Sequence, residues 1–425
     1  MDSQQTFDLK AKFSVFTIDD EKQIKETELH LNQIANNIIE SNSLEALLSD
    51  VVKIRQLSTT GADKIESIVN CNSKLFPKLI DLLNNSDDNP KFQFEITWIF
   101  LNVCAGTFKQ TKYVVDLDVL GSFKRILAHS KDQQLLIQVL WCIRNISDDD
   151  ALNQLVFVNG LFDSLLLLLG NIDKTSTELG KQIATTFCNM IINGKHKFSI
   201  YNSALPWLNR FINSNDPEIV NVSCKAMNNI LCAENDSAIE KTLSFLHKHN
   251  PGPRLIEIVL TSSDETTIES AMVNIGDILS SSQEHVMYLL QCNVKVGGGG
   301  VVKGPAGLLN AIEWCFSSSN PLIRKAATWA LSNLAVEYPQ LLIDHHMLDN
   351  VIHNLLVDQD MDVRVEAIWV INNVLESSAD VSVLKSKMPQ ITHTLSNELS
   401  KKEIKDPLAI NAINFIIDYQ SNEQQ

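Results

Sequence analysis

The stretch Val139-Leu140-Trp141-Cys142-Ile143-Arg144-Asn145-Ile146-Ser147-Asp148-Asp149-Asp150 decides the fold, because its pattern recurs along the chain. It is an apolar helical segment that carries Trp141 and Asn145 four residues apart and then ends in carboxylates. Residues four apart lie on one helix face, so the indole and the amide project together. The same pair recurs as Trp98/Asn102, Trp329/Asn333 and Trp369/Asn373. Four copies with one spacing indicate a repeated binding face.

Composition limits the classes of partner. The chain has 425 residues, 44% of them apolar, which predicts a folded protein. Its 35 basic and 51 acidic residues give a net charge of −16, which argues against nucleic acid and anionic membranes. The acidity favours cationic partners, although solubility alone would also explain it.

Cysteine usage and hydropathy indicate the compartment. None of the eight cysteines forms a CxxC pair, and several lie in apolar helical segments, as small buried side chains do. The sequence has no bilayer-length apolar run and no signal-peptide pattern. These features predict a reduced cytosolic or nuclear protein.

The repeat emerges when the asparagines are aligned. Their separations are 43, 44, 40, 45, 59 and 40 residues, for Asn102, Asn145, Asn189, Asn229, Asn274, Asn333 and Asn373. Periods of about 40–47 residues are typical of armadillo and HEAT repeats. One unit has predicted helices at Thr111–Asp118, Leu120–His129 and Asp132–Ser147. Helix starts recur at Asn215-Asp216-Pro217-Glu218 and Ser319-Asn320-Pro321, where a cap precedes proline.

The rest of the chain divides around this array. Residues 1–43 are predicted to be a polar, partly disordered arm with at most a short helix, and residues 44–420 to be the repeat array. The four glycines near residues 295–304 predict a flexible insertion, because no GK[ST] follows and no strand precedes them. Helices predicted at Val381–Leu399 and Pro407–Tyr419 would cap the array, and residues 421–425 would be a disordered tail.

Catalysis is not expected. The pairs His247/His249 and His345/His346 have no third ligand at zinc-like spacing, and HExxH and GxSxG are absent. We therefore predict neither an enzyme nor a metal site nor a cofactor.

Peptide binding explains the Trp/Asn pairs better. Third helices about 10 Å apart would meet roughly every third residue of an extended peptide. Neighbouring indoles would take Lys or Arg stems for about 0.5–2 kcal/mol each, while asparagine amides donate to and accept from the peptide backbone. Asp149 and Glu337 would pair with the ammonium groups. The alternative is that the tryptophans are core residues, and we assign Trp207 and Trp314, which lack the Asn partner, to the core.

These residues resemble importin-α, the armadillo adaptor that recognises nuclear localisation signals. The resemblance runs from about residue 44 to residue 380 and is strongest in Gln93–Asn102 with the following Ala105-Gly106-Thr107. It implies an all-α, right-handed armadillo superhelical solenoid of about eight or nine three-helix repeats.

The resemblance also implies two peptide sites. The major site would comprise Trp98, Asn102, Gly106, Thr107, Trp141, Asn145, Asp149 and Asn189, with Asp149 selecting a key lysine. The minor site would comprise Asn274, Trp329, Asn333, Glu366, Trp369 and Asn373. Thr185 stands where the third major-site tryptophan would be, so that site is expected to be shortened.

The predicted function follows from the resemblance. We expect a divergent nuclear-import adaptor, in cytoplasm and nucleus, that binds basic localisation-type peptides but no nucleic acid or membrane. Importin-β and an export receptor are the further partners implied, although residues 1–43 lack the family's basic importin-β-binding cluster. A cytoplasmic armadillo scaffold for a non-transport partner is the competing hypothesis.

Overall fold

The computed structural model describes residues 18–41, 43–59, 61–86, 88–194, 202–231, 245–246, 248–296, 300–377, 379–402 and 404–423. Two compact units divide the chain, unit 1 being Met1–Thr186 and unit 2 being Phe187–Gln425. Each unit is an array of helices in three-helix repeats.

Unit 1 begins with four helices, Ile18–Glu40 (α1), Leu44–Ser58 (α2), Ala62–Cys71 (α3) and Leu75–Asn84 (α4). It continues with Pro90–Cys104 (α5), Phe108–Asp116 (α6), Val119–His129 (α7), Gln133–Ser147 (α8), Asp150–Val158 (α9) and Leu161–Leu169 (α10). A 3₁₀ turn, Ile172–Lys174, then precedes Thr177–Ile192 (α11), which runs across the boundary between the units.

Unit 2 contains Leu205–Ile212 (α12), Pro217–Leu231 (α13), Gly252–Thr261 (α14), Glu265–Leu279 (α15) and Gln283–Leu290 (α16), then the strands Val294–Val296 (β1) and Gly300–Val302 (β2). Its later helices are Pro305–Phe316 (α17), Pro321–Glu337 (α18), Pro339–Asp344 (α19), Met347–Val357 (α20), Met361–Glu376 (α21), Ser382–Lys385 (α22), Met388–Lys401 (α23) and Pro407–Glu423 (α24).

The third helices of successive repeats pack directly on one another. In unit 1, α2 contacts α5 and α5 contacts α8. In unit 2 the stack runs through α13, α15, α18, α21 and α24. Each third helix buries an apolar face, for example Ile96, Ile99 and Phe100 in α5, and leaves the opposite face accessible. This stacking aligns equivalent residues of neighbouring repeats.

The starts of the third helices follow the predicted capping chemistry. Asp132 caps α8 by accepting from the Leu135 N–H at 2.9 Å, so the helix begins one residue later than predicted. Asp216 accepts from the Glu218 N–H at 2.9 Å, and Asn320 accepts from the Leu322 N–H at 3.0 Å. The missing N–H of a first-turn proline costs nothing at such a start.

The N-terminal segment differs from the predicted arm. Residues Ile18–Glu40 form a helix of 23 residues that contacts α2, α3 and α4. It buries Leu31, Ile34 and Ile38, whose 3–4 residue spacing forms an apolar stripe. The array therefore starts before residue 44, while residues 1–17 of the predicted arm lie outside the described residues.

The glycine-rich segment is more ordered than predicted. Strands β1 and β2 pair antiparallel, with Val294 opposite Val302 and Val296 opposite Gly300. Val294 is fully buried, and a Cβ added at Gly307 would lie 2.9 Å from its Cγ2 atom. The flanks of the predicted flexible insertion are thus a packed hairpin, and residues 297–299 lie outside the described part.

The C-terminal end is also more helical than predicted. The predicted helix Val381–Leu399 is two helices, α22 and α23, and α24 extends to Glu423 rather than ending at Tyr419. The first three residues of the predicted disordered tail, 421–423, therefore continue this helix.

None of the described helices alone is long and apolar enough to span a bilayer, although α9 and α10, bent by 70° at their junction, reach that length and apolarity as a pair.

Candidate functional site

The four Trp–Asn pairs occupy identical positions in their helices. Each tryptophan is the ninth residue, and each asparagine the thirteenth, of a third helix: α5, α8, α18 and α21. All eight side chains are partly exposed. They are therefore accessible on the helix faces, although contact with a peptide stays a prediction.

Asn274, a predicted minor-site residue, lies in the interior and not on the exposed face of its helix. Its side chain is fully buried, and its Nδ2 donates to the carbonyl oxygens of Cys224 at 2.8 Å and Ser270 at 2.7 Å. The thirteenth residue of α15 is instead Asp277, which is partly exposed. The prediction for Asn274 is wrong, because an enclosed amide cannot contact a peptide.

The other ladder asparagines differ in how much of the amide is free. Nδ2 donates to a neighbouring third helix in three of them: Asn102 to Ser58 Oγ at 2.7 Å, Asn333 to the Gly276 carbonyl at 3.2 Å and Asn373 to the Ser332 carbonyl at 3.0 Å. The Asn145 side chain makes no hydrogen bond with the described residues. In the other three asparagines one N–H of Nδ2 is engaged, whereas its second N–H and the Oδ1 acceptor bond to no described residue. The expectation that these amides donate to and accept from a peptide therefore stays a prediction.

The first tryptophan of unit 1 already holds a cation of its own chain. The Arg55 guanidinium carbon lies 4.5 Å from the Trp98 ring centroid, and its Nε forms an ion pair with Glu95. Phe94 packs edge-on against Trp98, with centroids 5.6 Å apart. One face of the Trp98 indole is thus occupied.

The second tryptophan of unit 1, Trp141, is held by a hydrogen bond from its indole N–H. Trp141 Nε1 donates to Gln182 Oε1 at 2.7 Å, and Gln182 Nε2 donates to Glu178 Oε1 at 2.8 Å. Thr185, the ninth residue of α11, is buried and donates to the Lys181 carbonyl at 3.0 Å. No aromatic ring therefore follows Trp141 in the ladder, as the sequence predicts. Asn189, the thirteenth residue of α11, is partly exposed and falls in unit 2.

A pocket of about 330 Å³ lies between the end of α8 and the loop after α5. It brings Gly106, in the loop after α5, close to Asn145 and Asp149 at the end of α8. Asp148 lines it as well, and burial raises the pKa of its carboxyl while the nearby Arg144 guanidinium opposes that shift. The pocket therefore combines carboxylates with an unengaged amide.

Local structure explains the loop residues. Thr107 caps α6 in a capping box, in which the Gln110 side chain accepts from the Thr107 N–H at 2.9 Å. A Cβ at Gly106 would lie 2.2 Å from that Gln110 oxygen. Gly106 thus forms part of the pocket wall, whereas Thr107 does not line the pocket and its hydroxyl caps α6.

One carboxylate oxygen of Asp149 caps a helix, and the other bonds to no described residue. It caps α9, because its Oδ1 accepts from the N–H groups of Ala151 at 3.0 Å and Leu152 at 3.1 Å. Its second oxygen is left for a cation in the pocket.

In unit 2 the indole of Trp329 lies against Gly276 of the preceding third helix. A Cβ at Gly276 would lie 2.2 Å from Trp329 Cζ3, so glycine makes room for the ring. No described Lys or Arg lies over the rings of Trp329 or Trp369. Within the described part of the chain, these two indoles therefore have no cation over their rings.

The acidic group of unit 2 is Glu366, on α21 one turn before Trp369. Burial raises its pKa to about 7, with Lys325 lowering it and Asp362 raising it. Lys325 is itself paired with Asp362, with Nζ and Oδ2 2.6 Å apart. Near neutral pH the Glu366 carboxyl is thus only partly charged.

Two tryptophans outside the ladder do not follow the core assignment. Trp314 is 47% exposed, so its assignment to the core is wrong. Trp207 is partly exposed and lies beside Arg210, with the guanidinium carbon 5.6 Å from the ring centroid. Both lie in second helices, α17 and α12, where neither could join the ladder.

The described residues include histidine and cysteine side chains, which are potential metal ligands or nucleophiles. There, no three or more His, Cys, Asp or Glu side chains cluster as a metal site would require. His345 and His346 are exposed. Seven cysteines are free, and burial raises the pKa of the Cys104 and Cys315 thiols to about 12.

Known proteins resemble both the sequence and the fold. The chain is 27% identical to importin subunit alpha-1a of rice over 65% of its own length and 48% of the relative. It is 25% identical to importin subunit alpha-8 of Arabidopsis thaliana over 81% of its length and 72% of the relative. The crystal structure of an engineered protein superposes with a TM-score of 0.67 at 17% identity, over 92% of this chain and 98% of that one. No protein-family model matches.

The chain is an armadillo-repeat protein that resembles importin-α. It spans about half the length of curated relatives that it matches, such as the rice protein. Several importin-α subunits match at similar identity, among them the probable importin subunit alpha-A of Dictyostelium discoideum at 26%.

The structure adds residues near the predicted site residues that sequence reasoning missed. Phe108, 52% exposed, and Thr111 line the 330 Å³ pocket, and Gln182 fixes Trp141. Asp277 takes the ladder position assigned to Asn274. Only Asp277 had a sequence signal, because it is the thirteenth residue after the Asp264 cap.

Proposed function

We propose that the chain binds Lys/Arg-rich linear peptides of the nuclear-localisation type along its Trp/Asn ladders, as an importin-α-like import adaptor acting in cytoplasm and nucleus. The observation that carries this proposal is the pocket of about 330 Å³ lined by Asn145, Asp148 and Asp149 beside the Trp141 repeat. It offers negative charge at the foot of an aromatic ladder, which suits a lysine side chain.

A lysine fits the pocket chemically. Its apolar stem can lie along Phe108 and the indole of Trp141, while its ammonium group reaches the free oxygen of Asp149. Charge-assisted hydrogen bonds of this kind are about twice as strong as neutral ones. Pocket walls made by Gly106 and Thr111 limit the width available to the side chain.

The asparagines suit an extended backbone. The Oδ1 atoms of Asn102, Asn333 and Asn373 bond to no described residue and can accept peptide N–H groups, and one N–H of each Nδ2 can still donate. Asn145 can both accept and donate. Such contacts hold the main chain without reading sequence, so specificity would come from the cationic side chains.

The test is calorimetric titration of a peptide carrying one Lys/Arg cluster against wild type and Asp149→Asn. Asparagine keeps an oxygen for the α9 cap but removes the charge, so we expect a loss of about 1–3 kcal/mol of binding free energy. Asp132→Asn is the matched control, because Asp132 caps α8 from the other end of that helix. Equal binding by all three proteins, or no binding by wild type, would refute the proposal.

The adaptor role needs a second measurement. Relatives at this identity are named importin subunits alpha, and a role in import requires a ternary complex of cargo peptide, this chain and importin-β. Gel filtration of the three components tests it. Peptide binding without that complex would favour a cytoplasmic armadillo scaffold with the same groove, and an export receptor can be assayed in the same way.

A further inference from the structure

Arg55 stands where the proposed function would put a peptide cation. It projects from α2 so that its guanidinium carbon is 4.5 Å from the Trp98 ring centroid. Its Nε pairs with Glu95, and the two side chains are only 18% and 15% exposed. An aromatic face, a carboxylate and a cation are the three groups expected in an occupied slot.

Neighbouring hydrogen bonds complete this arrangement. Asn102 Nδ2 donates to Ser58 Oγ at 2.7 Å, and that hydroxyl donates to the Arg55 carbonyl at 2.7 Å. The side chains of Asn102, Trp98 and Glu95 therefore all contact the last turn of α2, through Ser58 or Arg55. Among the described residues, no Lys or Arg lies over the Trp141 ring, and the Asn145 side chain makes no hydrogen bond.

We propose that Arg55 is a built-in occupant of the first cation slot of unit 1, and that it sets how many basic residues the site accepts. This inference rests on the proposed function and specifies its substrate class: short basic clusters, with no gain from a further cation at the Trp98 end. A tethered guanidinium has a high effective concentration, so a peptide lysine cannot displace it.

A purely structural role for Arg55 makes a different prediction. If the Arg55–Glu95 pair only joined two repeats, its loss would lower stability without changing the preference for peptide length. If Arg55 fills a slot, its loss frees the Trp98 face and the Glu95 carboxylate for an added peptide cation. Peptide length is therefore the discriminating variable.

The experiment compares a parent peptide of four consecutive Lys/Arg residues with versions extended by two lysines, or by Gly-Ser, at either end. For the wild-type full chain, each lysine extension should bind within about threefold of its Gly-Ser counterpart. For Arg55→Gln, the lysine extension at one end should bind about tenfold more tightly than its counterpart, because a cation gains an indole face and a carboxylate.

Lys53→Gln is the matched control. Lys53 lies on the same helix, has a 49% exposed side chain and pairs with Asp50 at 2.7 Å, so the substitution removes the same charge away from Trp98. Its extensions should behave like those of wild type. Equal gains for Lys53→Gln and Arg55→Gln would mean that net charge alone is responsible, and would overturn the proposal.

A second readout does not depend on peptide length. The indole N–H resonance of Trp98, identified by its loss in Trp98→Phe, should shift on addition of N-acetyl-arginine amide in Arg55→Gln but not in wild type. Arg55→Lys, which keeps a charge beside Glu95, provides a folded variant if glutamine destabilises the repeat, and it should gain less from the extensions than Arg55→Gln.

The outcomes separate the two proposals. If the parent peptide binds wild type and Asp149→Asn weakens it, but Arg55→Gln shows neither the length-dependent gain nor the resonance shift, only the Arg55 inference fails. If wild type binds no parent peptide, the proposed function fails and this inference fails with it.

Discussion

The ladders of unit 1 and unit 2 share one motif but have different surroundings. In unit 1 the Trp98 face is covered by Arg55, whereas the Asn145 amide and the Asp149 carboxylate line an open pocket. In unit 2 no described cation covers Trp329 or Trp369, but the nearby acid, Glu366, has a pKa raised to about 7. On the proposed function, identical side chains at identical helix positions would therefore bind a basic peptide with different strengths.

On the proposed function, the ladder motif would mark a binding surface without setting its affinity. The affinity would depend on groups from neighbouring helices: the Arg55 guanidinium at Trp98, the helix-capping Asp149 carboxylate in the pocket of unit 1 and the buried Glu366 carboxyl near Trp369. We therefore expect binding to unit 2 to depend on pH through Glu366.

The largest expected effect is in unit 1. Trp141→Ala should weaken binding of a single basic cluster by about 2–3 kcal/mol, because a central aromatic anchor is lost. Calorimetry measures the loss. Trp314→Ala is the control, since Trp314 is exposed but lies outside the ladder, and it should bind like wild type. Equal losses from both would mean that the ladder has no special role.

The next effect distinguishes unit 2 by its pH dependence. With its pKa near 7, the Glu366 carboxyl is mostly protonated at pH 6 and mostly charged at pH 8. A cationic peptide favours the charged form, so its affinity for unit 2 should rise roughly tenfold, about 1.4 kcal/mol, over this interval.

The measurement uses the Trp141→Ala background, which isolates unit 2, and a peptide without histidine. The hydrogen bond with Asp362 raises the pKa of Lys325 above its ordinary value, so this neighbour of Glu366 keeps its charge over this interval. Glu366→Gln should abolish the pH dependence. A slope that persists in that variant would assign the titration to another group.

The smallest effect is on stability. Asn333→Ala should lower the free energy of unfolding by about 1 kcal/mol, because the hydrogen bond from Asn333 Nδ2 to the Gly276 carbonyl at 3.2 Å is lost. Asn145→Ala, at the same helix position in unit 1, should change it little, because that amide bonds to no described residue. Urea denaturation compares the two variants, and similar losses would contradict the distinction between engaged and free amides.

The sequence by itself determined the local features of this protein. Period, caps and the four-residue Trp–Asn spacing are properties of single helices, so they predicted the third helices and their exposed faces. The error at Asn274 arose because overall spacing, rather than the distance from the Asp264 cap, was used to align that repeat. The helix Ile18–Glu40 was missed because its apolar stripe is short and interrupted by polar residues.

Tertiary structure alone decided which ladder groups are free. Arg55 and Trp98 are 43 residues apart, and Trp141 and Gln182 are 41 apart, so their contacts arise only when successive repeats stack. The same stacking buried Glu366 and raised its pKa. A sequence motif specifies which side chains share a helix face, but the charge and hydrogen-bonding partners across from that face come from another helix, whose placement depends on packing.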